Sequence, residues 1–341
     1  MKRWYLYPFS LGYHLATAIR NRMYDWGILK STKFKTPIIG VGNLSVGGSG
    51  KSPMVMYLAE FISSYHRTGV LSRGYGRKTK GYHVVNYDSN YKTVGDEAMQ
   101  LFQRFKNRFV IGVSEDRVSG AKKLIADMDL GTLILDDSYQ HRAIKPGFNM
   151  VLTDFNDPYF KDFLLPAGDL RESRRGAKRA DIIMVTKCPE VLTEEKKQYY
   201  LSRIKPRNYQ KVFFSSIDYD EHIFSKDKLL PVKNLDYYEI LLITGIANPT
   251  QMTKELAKYT QRVKHLKFKD HYSFTTEDVK KIAEEYKKLG DYKLILTTEK
   301  DFVRLHSFDY FKEKLFYWPI NVEIENKEAF NQIILNYVRK N

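Results

Sequence analysis

Gly42-Asn-Leu-Ser-Val-Gly-Gly-Ser-Gly-Lys-Ser52 follows the apolar run Pro37-Ile-Ile-Gly-Val41. An apolar strand that breaks into a glycine-rich turn and then a helical pattern is the local signature of a phosphate-binding loop. Such a loop needs inward-pointing backbone N–H groups, a helix N-terminus beneath them, a lysine on the outer phosphates and a hydroxyl on Mg²⁺. Gly47, Gly48 and Gly50 permit the tight backbone around Ser49, Lys51 supplies the charge and Ser52 the hydroxyl. Ser45 stands where the usual pattern has its first glycine, and Gly47 and Gly48 restore flexibility shortly after it. A bare glycine turn is the competing reading, but it leaves the agreement of strand, lysine and helix unexplained.

Outward from the loop, strand-like runs at 37–41, 68–72, 108–113, 132–135, 149–152 and 181–185 alternate with helical patterns at 52–65, 96–106 and 117–128. That rhythm predicts βαβ units. A second α/β rhythm starts near 239, where Glu239-Ile-Leu-Leu-Ile-Thr-Gly245 reads as a strand and Asn248-Pro249 as the N-cap and first residue of a helix. Later strands are expected at 262–268, 292–297 and 315–319. The expected fold is therefore α/β: a P-loop NTPase-type, mainly parallel sheet with helices on both faces, plus a smaller second α/β domain. The charged, irregular stretch 220–238 places the boundary near 218, giving domains 1–218 and 219–341. The runs 211–216 and 320–324 are expected to pair as a connector, with the last helix (about 327–339) returning to the first domain.

An acid that holds Mg²⁺ is expected at the end of a second apolar strand. Thr132-Leu-Ile-Leu-Asp-Asp137, two strand–helix units beyond the loop, offers the pair Asp136 and Asp137. Guanine-reading loops carry an Asn/Thr-Lys-x-Asp segment. Val185-Thr-Lys-Cys-Pro189 begins that way but has proline in place of the reading carboxylate, which favours ATP.

The formal charge of +16 predicts attraction to polyanions: nucleic acid, an anionic membrane surface or a phosphorylated substrate. With 14% aromatic residues, a P-loop ATPase acting on nucleic acid is the main alternative, but the sequence carries no recognisable nucleic-acid module. The single cysteine, Cys188, excludes an internal disulfide, and the absence of a Cys/His cluster disfavours a metallochaperone-like GTPase. No stretch is long enough to span a bilayer. Residues 10–26 instead form an amphipathic pattern, with Leu11, Leu15, Ala18, Ile19, Met23 and Trp26 on one face and His14, Thr17, Asn21 and Asp25 on the other. Pattern alone favours a helix packed on its own domain. The aromatic lead-in Trp4, Tyr5, Tyr7 and Phe9 supports an interfacial helix instead.

The segment Gly42–Pro53 resembles the signature of the tetraacyldisaccharide 4′-kinase family, the lipid A kinases of Gram-negative bacteria. Further matches follow in order along nearly the whole chain: Ser72-Arg-Gly-Tyr-Gly76, Gly95-Asp-Glu97, Asp136-Asp-Ser-Tyr-Gln-His141, Pro166-Ala-Gly-Asp-Leu-Arg-Glu172, Asp270-His271 and Thr298-Glu-Lys-Asp301. Ser138-Tyr139 replaces the family's Gly-Leu, Ser52 its commoner Thr, and Tyr272 a second histidine.

The resemblance implies ATP-dependent phosphorylation of the 4′-hydroxyl of a tetraacylated glucosamine disaccharide 1-phosphate. It places a peripheral, monotopic enzyme at the cytoplasmic face of the inner membrane, with ATP and Mg²⁺ as cofactors. The acylated lipid and the anionic membrane surface are the expected partners; no nucleic acid and no obligate protein partner is expected. Lys51, Asp96 as base and His271 as its neighbour are the catalytic candidates. Ser52, Asp136, Asp137 and Glu172 are the metal candidates, and Arg73, Tyr75, Gln140, His141 and Arg171 the substrate contacts.

Each role has a plainer competitor. An Asp ahead of a helical run is ordinarily an N-cap, a lone histidine in a charged loop is ordinarily solvated, and the basic run Arg171–Arg179 is ordinarily a solvated face. Arg174, Arg175, Lys178 and Arg179 could equally serve an anionic lipid. Thr298–Asp301 has the shape of a capping box. A four-chain lipid stays in the bilayer, since each buried CH₂ contributes about 0.8 kcal/mol. Deleting residues 1–26 is therefore expected to weaken liposome binding more than ATP binding.

Overall fold

A computed structural model of the chain describes residues 3–270 and 272–340. The strands are β1 (Ile38–Asn43), β2 (Thr68–Ser72), β3 (His83–Val84), β4 (Val110–Val113), β5 (Thr132–Leu135), β6 (Phe148–Asp154), β7 (Ile182–Thr186), β8 (Lys211–Tyr219), β9 (His222–Phe224), β10 (Leu229–Pro231), β11 (Glu239–Thr244), β12 (Val263–Lys267), β13 (Lys293–Thr298), β14 (Leu315–Trp318) and β15 (Ile320–Ile324). The helices are α1 (Tyr7–Asp25), α2 (Lys51–Ser63), α3 (Tyr91–Val94), α4 (Asp96–Phe105), α5 (Arg117–Met128), α6 (Glu194–Ile204), α7 (Thr250–Leu256), α8 (Thr276–Lys287), α9 (Glu299–Leu305) and α10 (Lys327–Lys340).

Among the described residues the strands form two sheets. The larger runs β15-β8-β7-β6-β1-β5-β2-β4-β3 and the smaller β10-β9-β14-β13-β11-β12. In the larger sheet β8, β7, β6, β1, β5, β2 and β4 are mutually parallel, and antiparallel β15 and β3 close its edges. Strands β1, β2, β5 and β7 are buried at every position. Uninterrupted apolar runs are what a parallel sheet covered on both faces requires. The α/β, mainly parallel fold expected from the sequence is the one observed.

Differences from expectation are local. The run expected to begin at 108 starts as a strand at Val110, because Lys106–Arg108 form a 3-10 turn. The N-terminal helix begins at Tyr7 rather than 10, since Pro8 sits in the first turn, where no N–H is needed. Helix α7 starts at Thr250, not Pro249, and the Asn248 side chain accepts from the Thr250 N–H at 3.0 Å.

The chain crosses between the sheets twice at one place. β8 and β15 pair antiparallel from Ser215↔Ile324 to Tyr219↔Ile320, and the Trp318 indole donates to the Asp220 carbonyl at 2.8 Å. Helix α10 lies against the larger sheet. Phe330, Ile334 and Val338 join its core, and the Tyr337 hydroxyl bonds both the N–H and the C=O of Ile38 at 3.1 and 3.0 Å. The carboxyl ends of β1, β5, β6 and β7 lie side by side, the place where ligands bind open α/β sheets.

Candidate active site

The loop after β1 is held from two directions. On one side it zips to the 169–171 segment: Val46 donates to the Asp169 carbonyl and Arg171 to the Leu44 carbonyl, both at 2.7 Å. On the other side the Thr186 hydroxyl lies 2.9 Å from the Ser49 carbonyl, and the Lys187 ammonium binds the Gly48 carbonyl and Asp154, the latter at 2.7 Å. Carbonyl oxygens that would repel a phosphate are thereby occupied. Gly50 caps α2 at φ +77°, a conformation that favours glycine. Lys51 opens the helix, its ammonium 3.3 Å from Asn43 Oδ1 and 3.8 Å from Asp137 Oδ1.

The acid pair follows β5. Asp136 is buried, and its Oδ1 has no hydrogen-bond partner. Burial, then the neighbouring charges of Glu97 and Asp137, push its carboxyl up to about 7 against the pull of Lys51 and Arg117. Asp137 is half-exposed and sits at φ +46°, a strained backbone that aspartate tolerates better than most residues. Burial alone would raise its carboxyl. The fork of Arg171 and the charges of Lys51 and Arg117 outweigh that and hold it at about 2. Arg117 is buried behind the pair and donates to the Asp136 carbonyl at 3.2 Å, while burial lowers its guanidinium to about 10. One carboxylate held ionised therefore lies beside another that burial and like charge push toward its protonated form.

The N-terminus of α4 closes the other wall. Gly95 (φ +91°) lies against Gly74, where a Cβ would meet backbone atoms at 3.0–3.1 Å, so the two glycine segments touch backbone to backbone. Asp96 is buried and ion-paired with Arg304 of α9, which also binds Asp301 at 3.3 Å. Arg104 pairs with Glu299 at 3.1 Å and Glu97 with Lys300 at 3.8 Å. Each acid lies in the first turn of its helix and Arg104 in the last turn of α4, as the helix dipoles favour.

The family model for Tetraacyldisaccharide-1-P 4′-kinase matches residues 2–339. A Tetraacyldisaccharide 4′-kinase of Flavobacterium johnsoniae is 40% identical over 338 residues, covering 98% of this chain and 97% of that one. One of Flavobacterium psychrophilum is 42% identical over 337 residues, covering 98% and 96%. The chain belongs to the tetraacyldisaccharide 4′-kinase family. A crystal structure of LpxK from Aquifex aeolicus in complex with ATP superposes with TM-score 0.78 at 30% identity, covering 98% of this chain and 99% of that one.

In this member of the tetraacyldisaccharide 4′-kinase family the expected residues are distributed as follows. Lys51, Asp137 and Arg171 form one contact network. Arg73 and Tyr75 are exposed at the end of β2, and the Arg73 charge reaches His141. His141 is neutral: burial, then Arg117 and Arg73, lower it to about 4. Gln140, expected to contact the sugar or steady the acid pair, donates instead to the Asn43 carbonyl and Glu172, both at 2.9 Å. Glu172, expected as a metal candidate, is buried with its oxygens taken by Arg179 (2.9 Å), Gln140 and Asn21 (3.2 Å). That engagement corrects the metal reading toward a structural anchor. His271 lies outside the described residues.

Thr298–Asp301 is a cap but not a reciprocal box. The Asp301 carboxylate accepts from the Thr298 hydroxyl and the Gly245 N–H, both at 2.8 Å, and so ties α9 to β11. The departure Tyr139 is accommodated: its ring stacks under Arg179 at 4.6 Å and its hydroxyl reaches the Gly176 carbonyl at 2.8 Å. Sequence reading missed Asn43, Arg117, Arg304 and the loop-clamping role of Thr186-Lys187. The last has a signal in the sequence, a Thr-Lys pair at the end of a strand.

Proposed function

We propose that the chain transfers the γ-phosphoryl group of ATP to the 4′-hydroxyl of a tetraacylated glucosamine disaccharide 1-phosphate, in lipid A biosynthesis. The observation that carries this reading is the contact of Lys51, Asp137 and Arg171 at the mouth of a glycine loop, in a chain of this family.

Ser52, Asp136 and Asp137 offer the hard oxygen donors that suit Mg²⁺, and the unpartnered buried Oδ1 of Asp136 is the atom such a cation would satisfy. Bound there, Mg²⁺ would neutralise charge on the β- and γ-phosphates. Gly47, Gly48, Ser49 and Gly50 cradle the phosphates, Lys51 balances their charge, and Arg171 orients Asp137. The 4′-oxygen forms its bond to the γ-phosphorus as the bond to the β–γ bridging oxygen breaks, and ADP departs. Asp96 receives the hydroxyl proton, which moves late because a carboxylate is a weak base for an alcohol. Arg73, Tyr75 and His141 contact the acceptor at the mouth. Residues 1–218, to which β15 and α10 return, and the intervening residues 219–319 act as two domains around it.

The enzyme works as a peripheral, monotopic protein at the cytoplasmic face of the inner membrane. Among the described residues no helix is long and apolar enough to cross a membrane. Phe9, Leu11, Leu15 and Ile19 of α1 are each more than half exposed, the kind of apolar surface that marks a docking site. Purified protein given ATP, Mg²⁺ and the disaccharide lipid should yield a phosphorylated lipid, and Asp96→Asn should abolish it. ATP consumed only on adding DNA or RNA, with no lipid product, would favour the nucleic-acid ATPase reading.

A further inference from the structure

Helix α1 is inverted relative to an ordinary surface helix. Its apolar stripe faces outward, and its polar stripe grips the protein at the three- and four-residue spacing of one helical face. The Ser10 hydroxyl donates to the Leu164 carbonyl at 3.0 Å and accepts from the Ala167 N–H at 3.1 Å. The Tyr13 hydroxyl donates to the Arg171 carbonyl at 2.9 Å. The Arg20 guanidinium donates to the Gln140 carbonyl at 3.1 Å, and the Asn21 amide to Glu172 Oε2 at 3.2 Å.

These contacts lie close to the phosphate site. The N–H of Arg171 is held by the Leu44 carbonyl and its C=O by Tyr13, so the peptide groups on both sides of this residue are fixed. Its guanidinium then forks onto Asp137 at 2.7 and 3.0 Å and reaches the Asn43 carbonyl at 3.2 Å. Glu172, gripped by Asn21, also accepts from Gln140, which donates to the same Asn43 carbonyl. Asn43 in turn holds the Lys51 ammonium.

We infer that Tyr13 and Asn21 of α1 are positioning residues for phosphoryl transfer, because they fix the 171–172 segment that aims Arg171 at Asp137 beside Lys51. The inference rests on the kinase reading above. It makes α1 a support of the nucleotide site as well as a docking element. Deleting residues 1–26 should then weaken ATP binding as well as liposome binding, since the deletion also removes that support.

The test uses the full-length protein. Affinity for a non-hydrolysable ATP analogue with Mg²⁺ is measured by calorimetry without lipid, turnover is measured in detergent micelles with the lipid acceptor, and binding to phosphatidylglycerol vesicles is measured by sedimentation. Tyr13→Phe combined with Asn21→Ala should lower kcat about tenfold and weaken the analogue severalfold, the combined effect of two hydrogen bonds. Vesicle binding and acceptor KM should stay at the wild-type values. Leu15→Ser with Ile19→Ser should give the opposite pattern, with vesicle binding lost and analogue affinity retained. If the double variant melts well below wild type, Tyr13→Phe alone, which removes a single oxygen, decides by the same criteria with an effect of about threefold. A folded variant with wild-type kcat and analogue affinity would overturn the inference. Should the wild-type protein make no phosphorylated lipid, the kinase reading fails, while the analogue affinities still decide the role of Tyr13 and Asn21.

Discussion

Arg171 holds Asp137 through two parallel hydrogen bonds of 2.7 and 3.0 Å, and that fork keeps the carboxylate ionised although much of its surroundings is protein. A lysine at 171 would keep the charge but lose the fork, which is not a conservative change. A charge-assisted bond contributes about 1.5–3 kcal/mol, so Arg171→Lys should lower kcat/KM for ATP by roughly 10–100-fold. Steady-state kinetics at varied ATP checks this, and an unchanged kcat/KM would rule it out.

Lys51 stands between Asn43 Oδ1 and Asp137 Oδ1 at 3.3 and 3.8 Å, so its charge is already directed into the loop. Lys51→Met preserves the length of the stem and removes the ammonium. Loss of one preorganised charge stabiliser costs about 10²–10³-fold in kcat. The melting temperature should change little, because Lys51 is partly exposed; single-turnover assays beside a thermal melt separate the two effects.

The parallel sheet and the loop were readable because each is coded locally, by continuous apolar runs in β1, β2, β5 and β7 and by glycine spacing ahead of Lys51. Helix α5 was legible to the residue because Asp116 caps it and its apolar spacing is regular. The contacts from Thr186 to Ser49 and from Arg304 to Asp96 join residues more than a hundred positions apart. No local pattern reports such pairs. The inverted packing of α1 was hidden for a different reason: periodicity identifies two faces but does not say which one meets the protein, and here Asn21 and Ser10 found buried partners that outweighed the apolar stripe.

The buried ion pairs that link α4 and α9 should matter far more to stability than exposed ones. Arg304 serves two buried acids, Asp96 and Asp301. Removing one partner of a buried pair leaves charge without compensation and costs about 3–5 kcal/mol. Arg304→Met should therefore lower unfolding free energy by about that amount, as read from urea denaturation. Lys258 bridges Glu255 at 2.8 Å in the open, so Lys258→Ala should leave stability almost unchanged. Equal effects from the two substitutions would contradict the burial argument.

His141 and Asp136 should give stability opposite slopes with pH. Burial, with the charges of Arg117 and Arg73, holds His141 at about 4 in the folded chain, against 6.5 unfolded. Between those values the unfolded chain binds the proton and the folded chain does not, so this contribution is lost as pH falls from 6.5 toward 4. Asp136, raised to about 7 from 3.8, keeps a proton that the unfolded chain has released, so its contribution declines as pH rises through that window. His141→Gln removes the first slope and leaves the second. In chelator, which keeps Asp136 free of metal, the wild type should gain stability relative to His141→Gln between pH 5 and pH 7.5, read as a rise in its melting temperature relative to the variant's. Parallel melting curves for the two proteins across that range would show that His141 is not held neutral by its surroundings.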